Sequence, residues 1–148
     1  MRISAKGRYA LAATTNMAQC YNKNEYITLI SISDKLGISK IYLEQVFSLL
    51  KRGGIVNSVK GSHGGYQLAR VPYRITAYEI LSAMETSLFE ATEESIAKNA
   101  PEIEAAMKIT AYNPLDEAIK AALEGITLND LVSEAERNSS DQGFMFYI

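Results

Sequence analysis

A mainly α-helical chain, a winged helix-turn-helix followed by a C-terminal helical dimerisation element, is the fold class this sequence predicts. Three observations point to it. Two short helical segments are separated by Gly37-Ile38-Ser39, the spacing of a helix-turn-helix. The period then changes to two β-prone segments around a Gly-rich turn, and afterwards returns to helical patterning up to a polar stretch near the end.

Taken in order, residues 4–21 place Ala10, Ala13, Met17 and Cys20 on one helical face, and Asn22-Lys23-Asn24 ends that segment. On this stripe Cys20 reads as a small buried residue. A second helix is expected from Ser31, because Ser31-Ile32-Ser33-Asp34 matches a capping box, and it stops at Gly37. Ser39 is a good N-cap for a third, whose Leu43, Val46, Phe47 and Leu50 follow i, i+3, i+4, i+7 before Gly53-Gly54. Residues 55–59 and 66–68 flank Lys60-Gly61-Ser62-His63-Gly64-Gly65 as a hairpin.

Beyond it, Thr76-Ala77-Tyr78-Glu79 caps a helix to about residue 85, and residues 87–111 are helix-prone but charged, with an interruption at Pro101. Asn113 is expected as an N-cap with Pro114 at the first helical position, leading the stripe Leu115, Ala118, Ile119, Ala122, Leu123 to Gly125. Thr127-Leu128-Asn129-Asp130 caps one more short helix. Residues 138–143 read as a polar loop before the apolar end Phe144-Met145-Phe146-Tyr147-Ile148. The expected divisions are 1–74 as a winged helix, 75–137 as a helical dimerisation or effector region, and 138–148 as a tail.

The chain has 148 residues, about one domain with an arm, and its 47% hydrophobic and 22% charged residues suit a soluble core. No apolar run reaches the roughly 18 residues of a membrane span, and the N-terminus lacks the apolar core of a secretory signal. Cys20 is the one cysteine and His63 the one histidine, so any Cys/His metal cage or Ser-His-Asp triad would centre on a single ring. No metal site and no enzymatic activity are expected, and a cytoplasmic setting is. The net charge of −2 conceals a division: residues 1–74 hold 11 Lys+Arg against 3 Asp+Glu, whereas 75–148 hold 4 against 14. A basic half beside an acidic half suggests one surface facing a polyanion and one kept away from it. Nucleic acid rewards such clustering through counterion release, although charge alone does not distinguish it from an anionic membrane surface.

On a helical wheel the third helix turns Ile41, Glu44, Gln45, Ser48 and Arg52 outward, with Lys40 and Lys51 at the flanks. Arg52 and the lysines suit phosphates, Gln45 an adenine edge, Glu44 a cytosine amino group and Ile41 a thymine methyl. An ordinary surface helix with one stray isoleucine fits the same pattern. The Gly-rich segment lacks the Gly-Lys-Ser/Thr ending of a phosphate loop, so it reads as a wing turn. Lys60 would enter a minor groove there and His63 at its tip would touch phosphate or groove.

Four segments then resemble the signatures of the IscR/NsrR/CymR family of dimeric bacterial winged-helix transcription regulators. They are Met1-Arg2-Ile3-Ser4-Ala5-Lys6-Gly7-Arg8-Tyr9-Ala10, Tyr42-Leu43-Glu44-Gln45, residues 59–66 and Ile126-Thr127-Leu128-Asn129-Asp130-Leu131. The resemblance implies that Arg2, Lys6 and Arg8 seat the protein on the DNA backbone, that Glu44 reads a base beside Gln45, and that Lys60 is the wing's basic residue. Ile41 departs from the small hydroxyl residue of the iron–sulfur members. Those members also carry three cysteines between positions 87 and 112, where this chain has none, so no cluster or other cofactor is expected.

The ending Met145-Phe146-Tyr147-Ile148 resembles that of the family's cluster-free CymR branch, repressors of cysteine metabolism that act with cysteine synthase. By that likeness the partners are operator DNA, a second copy of the chain and cysteine synthase, the tail's carboxylate being captured by backbone donors in the enzyme. A tail folded onto its own dimer is the alternative. A regulator of another pathway, answering to a small ligand between the acidic helices or to Cys20 as a redox sensor, is the other reading kept open.

Overall fold

The computed structural model describes residues 2–22, 25–61 and 64–146, with side chains as far as residue 140. Ser4 opens α1 (Ala5–Gln19): its backbone is extended and its hydroxyl accepts the Gly7 N–H at 3.1 Å, satisfying a donor that a helix start leaves orphaned. Ala10, Ala13 and Met17 are buried, as the spacing predicts. Cys20 is not. The helix stops at Gln19, Cys20 is its C-cap at φ −103° and ψ 18°, and the residue is exposed. A stripe drawn on a wheel holds only while the helical geometry lasts.

The start of α2 (Leu29–Leu36) also differs from expectation. Thr28, not Ser31, is the N-cap; its hydroxyl accepts the Ser31 N–H at 3.2 Å, and the Ser31 hydroxyl donates to the Thr28 carbonyl at 2.7 Å. The earlier start buries Leu29 beside Ile32, and a beginning at Ser31 would forfeit that anchor. Ser39 caps α3 (Lys40–Arg52) as expected, accepting the Tyr42 N–H, and Leu43, Val46, Phe47 and Leu50 all face inward.

Strands β1 (Val56–Val59) and β2 (Gly65–Leu68) pair antiparallel, with Val56 opposite Leu68 and Val59 opposite Gly65. Ile27 extends the pairing: its N–H donates to the Tyr66 carbonyl at 2.7 Å and its carbonyl accepts the Tyr66 N–H at 2.8 Å. Only a glycine at position 65 permits this approach, since a Cβ there would lie 2.6 Å from the Ile27 carbonyl oxygen. Helix-turn-helix and hairpin together make a winged helix.

A 3-10 turn at Pro72–Arg74 closes the basic half and precedes α4 (Ala77–Met84), whose cap Thr76 accepts the Glu79 N–H at 3.2 Å. Helix α5 (Pro101–Met107), a π-helical turn at Lys108–Tyr112 and α6 (Asn113–Glu124) then run on without a break. Two expectations are corrected here. Pro101 starts a helix instead of interrupting one. Asn113 is no cap, because it is itself helical and donates to the Lys108 carbonyl five residues back. Pro114 explains the wide turn: it lacks an N–H, and in α-geometry its ring would strike the carbonyl four residues earlier, so one π turn relieves the clash.

Helix α7 (Leu128–Phe146) starts on the expected box, with Thr127 N–H to Asp130 at 2.9 Å and Asp130 N–H to Thr127 at 3.1 Å. It is long, not short, and residues 138–143 are helical instead of looped. Once a helix is nucleated and capped, polar residues cost only about 0.7 kcal/mol or less each relative to alanine and Gly143 about 1 kcal/mol. No proline stops it.

A single buried cluster joins Ala10, Met17, Ile32, Leu43, Phe47, Leu50 and Ile55 to Ile75, Ile80, Met84 and Leu128. The Leu128 N–H donates to the Ile75 carbonyl at 2.9 Å, and the Ala77 N–H to the Ile126 carbonyl at 2.8 Å. Helix α4 and the first turn of α7 are therefore part of the core beneath α3. By contrast α6 buries no residue, and Leu115 on its apolar stripe is 58% exposed. Among the described residues no helix is long and apolar enough to cross a membrane.

Candidate nucleic-acid interface

Helix α3 is held by its inner face alone, which fixes what its outer face presents. Phe47 packs on Tyr66 of β2 with ring centroids 4.8 Å apart, and Tyr42 meets Tyr9 of α1 edge to face at 5.1 Å. These aromatic pairs lock α3 to the wing and to α1. Ile41, Glu44, Gln45 and Ser48 are left exposed. Together with Lys6 of α1 and Leu49 they line an open groove of about 550 Å³. Sequence spacing placed the α3 set on one face; only the fold brings Lys6 to it.

Ile41 is 73% exposed, one of several large apolar side chains at the surface; a single exposed isoleucine is ordinary, and its position on the groove leaves it free to meet a partner. Glu44 faces Lys40 at 3.7 Å with both side chains half exposed. Such a solvated pair contributes at most about 1 kcal/mol, so either member can exchange it for a nucleic-acid contact. Arg8 is exposed, and its guanidinium donates to the Ile3 carbonyl at 2.7 Å, which keeps the charge beside the start of α1. Arg2, Lys51, Arg52 and Lys60 are also exposed, but none of them lines the groove. His63 lies outside the described residues, as do Tyr147 and Ile148 and the side chains of Met145 and Phe146.

The support of this surface was hidden in the sequence. Glu85, 7% exposed, sits just past α4 and accepts the Ser4 N–H at 2.7 Å across 81 residues of chain. A buried carboxylate on an N-terminal donor is a charge-assisted bond, and it anchors the turn that carries Lys6 and Arg8. The same packing requires Gly7, since a Cβ there would overlap Glu85 Oε1 and come within 2.8 Å of Ile3 Cγ2. No local pattern announces Glu85; its partner is at the other end of the module.

Cys20 borders a cavity of about 640 Å³ between the end of α1 and the start of α2, with Asn16, Thr28, Ser31 and Lys35 around it. Cavity and groove are separate, and they share no residue.

A family model described as Rrf2, iron-dependent transcriptional regulator, matches residues 3–134. The chain is similar to the HTH-type transcriptional regulator IscR of Xenorhabdus nematophila, 35% identical over 148 residues, which cover 96% of this chain and 89% of the relative. Among solved structures it is similar to CymR, the global cysteine regulator of B. subtilis, with TM-score 0.70, 32% identity and coverage of 90% and 98% of the two chains. It is equally similar to T. potens IscR, with TM-score 0.70, 33% identity and coverage of 99% and 97%. These relatives are transcriptional regulators, not enzymes. An iron centre would need clustered donors, and among the described residues no three His, Cys, Asp or Glu side chains stand close enough to hold a metal ion. The one thiol, Cys20, caps α1, far in sequence from the 87–112 segment. The donor set does not fit a thiolate-bound cluster.

Proposed function

This chain belongs to the Rrf2 family of transcriptional regulators, and we propose that it is a cluster-free, dimeric repressor of cysteine and sulfur metabolism genes acting on operator DNA in the cytoplasm. The observation that carries the DNA-reading half is the groove in which Lys6 of α1 joins Ile41, Glu44, Gln45 and Ser48 of α3. Here α3 lies in the major groove with Glu44, Gln45 and Ile41 on base edges and Ser48 beside them. Arg2, Lys6, Arg8, Lys40, Lys51 and Arg52 meet phosphates, while Lys60 and His63 bring the wing to the minor groove. Residues 75–137 supply dimerisation, for which α6 is the natural seam: an apolar stripe with nothing buried calls for a second copy. Two recognition helices then fall on half-sites about 34 Å apart, one turn of DNA, or a multiple of it. The sulfur-metabolism assignment is supported by likeness to the B. subtilis regulator and by the missing thiolates.

The test is selection of genomic fragments by purified full-length protein across a salt series. Enrichment of pseudo-palindromic sites upstream of sulfur genes, with affinity falling steeply as salt rises, is expected; fragments bound without preference would reject the reading.

The tail, residues 138–148, is assigned to cysteine synthase through Met145, Phe146, Tyr147 and Ile148. Since α7 is helical to Phe146, capture by the enzyme would have to unwind its last turn. Removal of the four residues should abolish calorimetric binding to the synthase and leave operator affinity of the regulator alone nearly unchanged. Undiminished heat after truncation would exclude the tail.

The exposure of Cys20 favours a second reading, in which its oxidation controls DNA release. Peroxide should then dissociate the wild-type complex and spare Cys20→Ser; equal sensitivity of the two proteins excludes it.

A further inference from the structure

Between α4, residues 86–91 and α6 lies a cavity of about 240 Å³ lined by Tyr78, Leu88, Phe89, Asp116, Ile119 and Lys120. Its floor is apolar, with Tyr78 and Phe89 packed edge to face, centroids 5.1 Å apart. Asp116 and Lys120, four residues apart on α6, share one face of the helix, the spacing at which an acid and a base normally pair. They do not pair here. Lys120 Nζ stands 5.6 Å over the Tyr78 ring and 3.9 Å from Glu124, and Asp116 has no ion pair or hydrogen bond among the described residues. An unpaired anion, and a cation whose one ion pair is the long contact to Glu124, line the same cavity as the aromatic pair. Together they complement a molecule that carries both charges on adjacent atoms and a short apolar group. The volume sets the scale: it lies just below the roughly 300 Å³ at which pockets for drug-sized ligands start, which suits a small metabolite.

We propose that this cavity binds a free α-amino acid with a small or medium apolar side chain. Its ammonium meets Asp116, its carboxylate meets Lys120, and its side chain enters among Leu88, Phe89 and Ile119. The proposal deepens the regulator reading and rests on it for its purpose. Tyr78 belongs to α4, whose Ile80, Leu81 and Met84 are buried, and Ile80 and Met84 share one core with α3. A ligand bridging α4 and α6 therefore ties the helical region to the base-reading helix.

The test is calorimetric titration of the full-length protein, without DNA, with each of the twenty common amino acids at up to about 10 mM, a range that detects millimolar affinity. At least one apolar amino acid should bind with saturable heat. Asp116→Asn and Lys120→Met should each weaken it about tenfold or more, while Ile103→Ala, on exposed surface away from the cavity, should not. Both charged positions are exposed, and circular dichroism checks that the variants stay folded. No heat from any of the twenty, or affinity unaltered in both charge variants, overturns the proposal. Because DNA is left out, such a failure is distinct from failure of operator binding, which the fragment selection reads separately.

Discussion

Replacing Gly7 with alanine is expected to destabilise the protein by about 1–3 kcal/mol, the range for overpacking a filled site, and to weaken DNA binding with it. The direction is the informative part. In a solvated helix interior the same change would stabilise by about 1 kcal/mol, because alanine is the better helix former. Here the new methyl group would run into Glu85 Oε1 and lie 2.8 Å from Ile3 Cγ2. Glu85 cannot step aside freely, because that oxygen accepts the Ser4 N–H at 2.7 Å, and moving it leaves a partly buried donor unpaired. The first turn of α1 would shift, and Lys6 with it, out of the groove it shares with α3. Urea denaturation measures the loss of stability, and operator titration the loss of affinity. A Gly7→Ala protein as stable as wild type would show that the junction of α1 and α4 is looser than described.

The second large effect separates reading from gripping. Glu44→Ala should reduce the ratio of specific to non-specific affinity by about 1–3 kcal/mol at one base position. Its effect on non-specific binding has the opposite sign. Removing the carboxylate deletes an anion from the basic face and frees Lys40, its partner at 3.7 Å, so random DNA should bind as well as before or better. Lys60→Ala should instead weaken all sequences alike and lower the salt slope by about one, since this exposed cation just after β1 has no ion pair among the described residues to give up. Binding titrations at several salt concentrations, on operator and scrambled duplexes, resolve the two. Uniform loss from both substitutions would mean that Glu44 supports structure and does not read bases.

Much of this was legible because the signals are local. Caps such as Ser39 on Tyr42 and Thr127 with Asp130 act over three residues. The stripe Leu43, Val46, Phe47, Leu50 spans two turns, and the Gly-rich wing sits beside the strands it joins. The outward set on α3 followed once the inward one was known. The misses have equally specific causes. Cys20 continues the apolar spacing of α1, but the helix ends one residue before it. The Ser31–Asp34 pattern resembles a capping box, yet Thr28 is the cap because the earlier start buries Leu29. Residues 138–143 have loop composition but follow a capped helix with no breaker.

What the sequence alone determined was therefore the order and kind of the elements through the winged helix, and which side of α3 stays free, since 3.6-residue periodicity and end caps are written in neighbouring residues. The tertiary structure alone decided that Lys6 joins that free side, that Glu85 and Gly7 hold it there, and that α4 and Leu128 complete the core beneath it. Those outcomes depend on groups as much as 81 residues apart, brought together by apolar burial that has no direction along the chain.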